Sequence, residues 1–405
     1  MPDPAIARLP ADSLDDYRWL TGPEGADWLA RARALDGELT AKAARLRARL
    51  PPSRASLVLK QIELRRRARE KFTAADSMFF TARGLEQATD EVVALYKAAR
   101  MPPGKRVFDL CAGIGGDLVA LARHCETIGT DRDPVCATIA AANARALLEP
   151  ARQPKITLGE AAEADLAGCH AWHIDPDRRP RGKRTTRVDL HDPATAVIDG
   201  LLAQNPHAAV KLAPAAELPD HWTEQAELEW IGRARGCRQL VAWFGTLAQE
   251  AGRRRATILG PSAEQVRTLV GRADQNVPVA PRIERYLFEP DAAVLAAKLE
   301  AALAAEHDLA AISSGVAYWT GPAAIADRAL ACFEIDEVLP LDVKRLGALL
   351  RARGIGRLEI KVRSVDQDPG QLRRRLRVVG DREATLLVTR IEKRVMAILA
   401  RRTAN

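Results

Sequence analysis

The sequence lacks any apolar run long enough to cross a bilayer, so neither a membrane span nor a membrane partner is expected. Its opening residues, MPDPAIARLPADSLDDYRW, lack a basic start followed by an apolar core, which argues against a secretory signal. Six cysteines (Cys111, Cys125, Cys136, Cys169, Cys237 and Cys332) are scattered without a C-x-x-C pair. That pattern argues against a zinc site or a disulfide framework and for a reducing, cytoplasmic setting. His124, His170, His173, His191, His207 and His221 show no metal-ligand spacing and no H-E-x-x-H occurs, so no metal is expected. Internal repeats and low-complexity linkers are absent as well, and nothing in the pattern fixes an oligomeric state.

What is present is basic. The net charge of +8 is carried by arginines that cluster at Arg65-Arg66-Arg67, from Arg178-Arg179 through Arg187, at Arg253-Arg254-Arg255 and at Arg373-Arg374-Arg375. Such clusters are commonly solvated faces, but a positive surface also attracts phosphates regardless of sequence, and a polyanion partner follows as an expectation.

At 405 residues the chain has room for two or three domains. Residues 1–90 read as a helical region, with apolar positions at three- and four-residue spacing in ADWLARARALDGELTAKAARLRARL and in RASLVLKQIELRRRAREKF, separated by Pro51-Pro52. Residues 91–275 alternate apolar strand runs with helical segments, the pattern of a parallel sheet wound with helices. The expected strands are Val107–Leu110, Thr127–Thr130, Ile156–Leu158, Ala171–Ile174, Ala208–Leu212, Gln239–Trp243 and Ala256–Leu259, the last entering antiparallel. Residues 276–405 open with a strand that crosses into an alanine-rich helix, and a second helical stretch follows before CFEIDEV. They continue as a small α+β unit with strands in CFEIDEV, RLEIKVR, EATLLVT and RVMAILA and helices in DVKRLGALLRARG and DPGQLRRRLRV. The fold class is α/β, a seven-stranded Rossmann-like sheet with a helical N-terminal region and a small C-terminal α+β domain.

The densest signal is VFDLCAGIGGDLVALARHCETIGTDRD, Val107 to Asp133, which reads strand, glycine turn, helix, strand, with Asp131 at the second strand's tip. A dinucleotide site wants a third glycine where Leu118 stands, and Asp117 in the first helical turn would repel a pyrophosphate. A cofactor with a positive centre and no phosphate suits the turn better, and S-adenosylmethionine is one. Gly113 and Gly115, lacking Cβ, allow close backbone approach, while Asp131 can accept hydrogen bonds from both ribose hydroxyls. Here the chain resembles the class I S-adenosylmethionine-dependent methyltransferases, whose first motif matches Asp109, Gly113 and Gly115 and whose second-strand acid matches Asp131. The resemblance also places Cys111, Ala112, Arg132 and Glu160 on the cofactor; for Cys111, a small residue packed beneath it is favoured over a reactive thiol.

Chemistry is expected at the end of the fourth strand, in AWHIDPDRRPRGKRTTR. Asp175-Pro176 stands where base-modifying members of this class carry an acid or asparagine followed by proline. The Asp175 carboxylate and the Pro176 carbonyl can accept the hydrogens of an exocyclic amine and turn its lone pair towards the methyl group. The class's second proline is replaced by Asp177, and no aromatic follows, which weakens the case for adenine N6. Arg178, Arg179, Arg181 and Lys183 are candidate substrate contacts, because guanidinium planes stack on bases and pair with phosphates.

Over its length the chain resembles a bacterial family of class I methyltransferases with a THUMP-like C-terminal domain, through FTARGLEQATDEVVALYKAARM, DLCAGIGGD, DPDRRPRG, VKLAP, YLFEPDAAV, LEIKVRSVDQDP and EATLLVTR. Ser364 departs from that pattern, standing where a glycine is expected. The arrangement is also similar to RNA-cap and tRNA guanine-N2 methyltransferases, in which residues before the first strand close over the cofactor; this implies contacts from Phe80, Thr81 and Gln87. The resulting expectation is a cytoplasmic methyltransferase with S-adenosylmethionine as cofactor and RNA as substrate, modified at a base nitrogen. Two rivals of other classes stand beside it, an RNA-binding protein with an inactive core and a nicotinamide dehydrogenase, and a small-molecule or protein methyltransferase, whose tail need not be basic, is a third reading.

Overall fold

The computed structural model describes residues 13–36, 38–179, 185–273 and 276–403. These form two compact units, the first comprising residues up to Glu227 with Val241–Ala251 and Pro261–Glu264, the second Leu228–Leu240, Gly252–Gly260 and the chain from Gln265 onward.

The first unit opens with six helices: α1 (Leu14–Leu20), α2 (Pro23–Ala34), α3 (Leu39–Arg47), α4 (Pro52–Ala68), α5 (Ala82–Gln87) and α6 (Glu91–Ala98). The Pro51-Pro52 pair ends one helix and begins another. Pro52 occupies the start of α4, where its missing N–H has no intrahelical partner to lose. The apolar faces do more than pack on each other. Leu20, Leu46, Leu57, Val58, Phe72 and Phe80 share one core with Ile114 of the glycine turn and Ile139 of a later helix, so the helical region is built onto the back of the site.

Five parallel strands follow, β1 (Arg106–Leu110), β2 (Glu126–Asp131), β3 (Lys155–Leu158), β4 (Ala171–Ile174) and β5 (Ala208–Leu212), joined through α7 (Gly116–Ala122), α8 (Pro134–Leu147) and α9 (Thr195–Gln204). Their spatial order is β3-β2-β1-β4-β5, which reverses direction between β1 and β4. At such a switch point the loops leaving the two strands diverge and open a crevice at their carboxyl ends. After α10 (Asp220–Gln225) come β6 (Glu227–Arg233), β7 (Gly236–Trp243), β8 (Arg254–Leu259) and β9 (Val266–Gly271).

All seven expected strands are present, but the large sheet has nine. The additional strands are β6 and β9. In β6, ELEWIGR, two glutamates interrupt the apolar run, yet both are fully buried. Glu227 pairs with Arg100 at 3.1 Å and Glu229 accepts a hydrogen bond from Thr257. Buried carboxylates with partners read as surface residues in a sequence. Nor does the last expected strand enter antiparallel. β8 runs parallel to β6, and it is β9 that pairs antiparallel with β8.

The second unit continues with β10 (Tyr286–Pro290), α11 (Ala292–Ala297), α12 (Glu300–Glu306), β11 (Ala310–Ala311), β12 (Trp319–Gly321), β13 (Leu330–Pro340), α13 (Val343–Ala352), β14 (Ile355–Val362), α14 (Pro369–Leu376), β15 (Arg382–Ile391) and β16 (Arg394–Arg402). A second, seven-stranded sheet takes the order β11-β12-β10-β13-β16-β15-β14. The expected alanine-rich helix is two helices, broken where Lys298 turns left-handed at φ 54°. The second helical stretch expected before CFEIDEV is instead two short strands, β11 and β12. Ser364 likewise sits at φ 57°, the backbone region that explains why a glycine was expected there.

Candidate active site

The turn after β1 is built from unusual backbone. Cys111, Gly113 and Gly115 all have positive φ, at 61°, 57° and 87°. For Cys111 this is strained, since L side chains seldom adopt it. Burial pushes its thiol well above the ordinary range, with the neighbouring Asp131, Asp175 and Asp109 adding to the effect, an environment that disfavours the thiolate. Ala112 is buried, and its N–H bonds to Thr130 O at 3.0 Å. At Gly115 a Cβ would press against the Cα of Ala140 in α8 at 3.3 Å, whereas one on Gly113 would meet no atom within 4 Å. One glycine lets the helix approach, and the other leaves an open cradle.

Asp131 closes that cradle. Its carboxylate accepts the N–H of Gly113 at 2.7 Å and of Asp133 at 2.9 Å, tying the tip of β2 to the turn after β1. Burial raises its pKa, against the lowering by those two N–H groups. The next residue, Arg132, pairs with Asp192 at 2.6 Å and lies 3.8 Å from Glu160, so Arg132 and Glu160 meet at the cradle's outer rim.

Beneath the turn lies a buried polar chain. Asp109 bonds His173 Nδ1 at 2.7 Å, Lys97 Nζ lies 3.1 Å from His173 Nε2 and 2.8 Å from Asp117, and Thr89 donates to Asp117 at 2.6 Å. Asp109 is therefore interior, 1% exposed, with its carboxylate facing His173. Asp117 also faces inward, and this corrects the expectation that its charge would repel a pyrophosphate. Burial drives its pKa up, but Lys97 foremost, with His173 and Lys211, outweighs burial and holds the carboxyl well below the usual range. Leu118 occupies the third-glycine position without pushing the helix away, because Gly129 of β2 makes the room: a Cβ there would lie 2.8 Å from the Leu118 side chain.

Across the switch point, Leu110 of β1 registers with Ile174 of β4, which brings Asp175 beside the glycine turn. Lys211 of β5 forms an ion pair with Asp175 Oδ2 and bonds Gln87 O at 3.3 Å. Burial lowers the Lys211 pKa, but Asp175 and Asp117 outweigh it and raise the pKa overall. Pro176 is buried. Asp177, the departure from the proline pattern, is the hub of this region. It accepts from Arg83 at 2.6 Å, from Gln87 at 3.0 Å and from the Arg179 N–H at 3.1 Å, while its backbone bridges Asp192. Arg179 reaches Glu86 at 3.1 Å. Helix α5 is thus laced to the 175–179 segment by Arg83, Glu86 and Gln87.

Several expected contacts look different in place. Phe80 is fully buried and packs against Phe72. Thr81 spends its oxygen capping α5 at Gly84 N–H, 2.8 Å away, and Gln87 spends its amide on Asp177. Arg179 is engaged by Glu86 and is not directed at open solvent. Arg178 is half-buried, and Arg181 and Lys183 lie outside the described residues. Reading the sequence missed Lys211, Asp177 and Lys97. VKLAP and the position of Asp177 were both visible, but only the fold brings strand β5 and helix α5 to Asp175.

A doubly wound sheet with an open glycine cradle, an acid at the tip of β2 and a charged Asp-Pro turn across the switch point has the form of a nucleotide-cofactor transferase. Sequence relatives narrow this further. The chain is 32% identical over 360 residues, covering 84% of itself and 93% of the relative, to an uncharacterized S-adenosylmethionine-dependent methyltransferase of Mycobacterium tuberculosis, found in strains CDC 1551 and H37Rv. It belongs to that family of S-adenosylmethionine-dependent methyltransferases. Residues 330–402 match the family model described as THUMP domain-like, and residues 12–68 match a domain of unknown function. A crystal structure from Porphyromonas gingivalis W83, of a protein assigned as a methyltransferase, superposes with a TM-score of 0.75 at 19% identity, covering 98% of this chain and 100% of that one. That likeness shows the shared fold. Among the described residues no helix is long and apolar enough to cross a membrane.

Proposed function

We propose that the protein methylates a base nitrogen of RNA, with Asp175 orienting the nucleophile. The observation that carries this reading is the position of Asp175, ion-paired with Lys211, at the carboxyl end of β4 across from the glycine cradle. Bound S-adenosylmethionine supplies an electrophilic methyl group on a sulfonium that already carries its leaving group. The residues of the chain therefore need to orient and exclude rather than to activate strongly.

The open face of Gly113 and the carboxylate of Asp131 fit an adenosine ribose, and the Arg132–Glu160 pair borders the same rim. Asp109 and Ala112 support the turn from below. Thr81 and Gln87 act on the cofactor end by holding α5 against the Asp175 segment. Lys211 occupies Oδ2 of Asp175 and leaves Oδ1, with the Pro176 carbonyl, to accept the two hydrogens of an amine. A base nitrogen whose lone pair is spread into its ring becomes a better nucleophile when held in this way. Support for RNA comes from the basic residues that follow Asp175 and from the THUMP domain-like match. The direct test is incubation with labelled S-adenosylmethionine and total cellular RNA, followed by digestion to nucleosides. Label in a methylated base bears the proposal out; RNA binding without label in RNA would overturn it.

Two outcomes follow at the edges of the site. Asp131→Ala is expected to weaken S-adenosylmethionine binding by roughly 2 kcal/mol or more, the size of lost charge-assisted hydrogen bonds. Calorimetry on the folded variant measures it, and unchanged affinity would remove Asp131 from the cofactor site. Arg178→Gln is expected to lower the salt dependence of RNA binding by about 0.7 of a unit, one phosphate contact on a single strand, and to leave cofactor affinity as it was. A salt series by filter binding reads both the slope and its absence.

A further inference from the structure

Asp177 stands where a second proline was expected, and its backbone shows why proline does not fit. Its N–H donates to the Asp192 carbonyl at 2.7 Å, and its carbonyl accepts the Asp192 N–H at 2.9 Å. A proline has no N–H and would lose the first of these bonds. The side chain has separate work for each oxygen. Oδ1 accepts from Gln87 at 3.0 Å and from the Arg179 N–H at 3.1 Å, while Oδ2 accepts from Arg83 at 2.6 Å. The Arg83 side chain is 62% exposed, and an ion pair with so open a partner adds little to stability. What the pair does supply is a fixed position for α5 relative to the Asp-Pro turn.

Helix α5 is in turn fixed to the cofactor cradle. Gly84 lies directly on Ile114 of the glycine turn, where a Cβ would run into the Ile114 side chain. Buried Asn143 of α8 accepts the Phe79 N–H at 2.7 Å and donates to the carbonyls of Phe79 and Ile114 at 3.0 and 2.8 Å. Lys71 holds the far end of α5 through the carbonyls of Leu85, Glu86 and Ala88, at 2.8, 3.1 and 2.9 Å. From the opposite side, Asp192 pairs with Arg132, the residue after Asp131. Two routes from the cradle therefore meet the Asp175-Pro176 turn at Asp177, one by side chain and one by backbone.

We propose that Asp177 is a positioning residue for methyl transfer: it ties the Asp175-Pro176 turn to the cofactor cradle through α5, so that a bound cofactor fixes where the nucleophile is held. This deepens the methyl-transfer reading above and rests on it. Methyl transfer is an in-line displacement, and a misplacement of about 1 Å can cost about 10²-fold in rate. The cradle follows β1 and the Asp-Pro turn follows β4, and beyond their paired ends the ladder no longer sets their separation. Side chains that span the gap must set it. Lys211 does so from Asp175 to the Gln87 carbonyl, and Asp177 from its own turn to the Gln87 and Arg83 side chains. A ligand that stiffens the cradle is then felt at the turn through this contiguous network.

The test uses the full-length protein, with amide hydrogen exchange over residues 175–179 and single-turnover transfer of label to RNA. In the parent, S-adenosylmethionine is expected to slow exchange of that segment. In Asp177→Ala most of this slowing should be lost, and transfer at saturating cofactor and RNA should fall about tenfold or more. Cofactor affinity by calorimetry should stay within a few fold, whereas a residue that only stabilised the fold would weaken it along with transfer. Asp177→Asn keeps Oδ1 for Gln87 and Arg179 and loses only the Arg83 pair, so it should match Arg83→Gln. The two together should be no slower than either alone, because they remove one interaction. Equal slowing by the cofactor in the parent and Asp177→Ala, or slowing in neither, overturns the proposal. If the parent transfers no label to RNA, the RNA reading fails, and the exchange comparison still decides for or against Asp177.

Discussion

Asp175→Ala is expected to reduce methyl transfer by about 10²-fold or more while S-adenosylmethionine affinity stays within a few fold. The size follows from what orientation by a positioned acid–base group contributes, about 10²–10⁴ in rate. The separation follows from the geometry: the carboxylate stands across the switch point from the cradle, on the side where the nucleophile must enter. Removing it also strands Lys211, whose raised pKa depends on Asp175, whereas Asp175→Asn keeps an oxygen that can still accept from Lys211. Asparagine keeps one carbonyl acceptor but loses the ion pair, and an intermediate rate is expected. Single-turnover transfer of label to RNA, with calorimetry for the cofactor, measures both quantities. Near-normal transfer by Asp175→Ala would dismiss the orienting role.

The largest effect on stability is expected at Lys97. Its side chain is 2% exposed and pairs with Asp117, itself almost fully enclosed. Lys97→Met leaves a buried carboxylate without its cation, and breaking a pair in this way costs about 3–5 kcal/mol. Replacing both members, Lys97→Met with Asp117→Leu, should recover part of that loss, because no carboxylate is left without its cation, while Thr89 and His173 Nε2 still lose their partners. Urea denaturation of the single and double variants checks it; equal stability of Lys97→Met and the parent would show that the pair does not hold the turn. The same pair sets an acid limit. The Asp117 pKa is depressed in the folded state, so its contribution is present above the ordinary carboxylate pKa, about 4, and is lost as pH falls below it. The Lys97→Met/Asp117→Leu protein should lack that part of the acid sensitivity.

Much of the fold was legible because central parallel strands such as β4 and β5 are short apolar runs buried almost throughout, and such runs announce themselves. Thr127–Thr130 and Ala171–Ile174 needed no partner to be recognised. β6 escaped for the opposite reason: Glu227 and Glu229 look solvated until Arg100 and Thr257, far away in sequence, are brought to them. The alanine-rich stretch read as one helix because alanine suits helix everywhere, and nothing local marks the left-handed turn at Lys298.

The site divides in the same way. Gly113, Gly115, Asp131 and Asp175 were found from order and spacing, since a glycine turn after a strand and an acid at a strand's tip are local chemistry. Their partners were not found. Asp117 was expected to repel a pyrophosphate from the first turn of its helix, and Lys97 pairs with that charge from within the core. Arg179 was expected at an open cleft mouth, and Glu86 of α5 engages it. By itself the sequence determined the sheet, the cofactor turn and the family's chemistry, because these follow from hydrophobic period, glycine's missing Cβ and the placement of acids. Only the tertiary structure decided which charges are paired, because charge pairing depends on distances between residues that the chain separates by tens of positions.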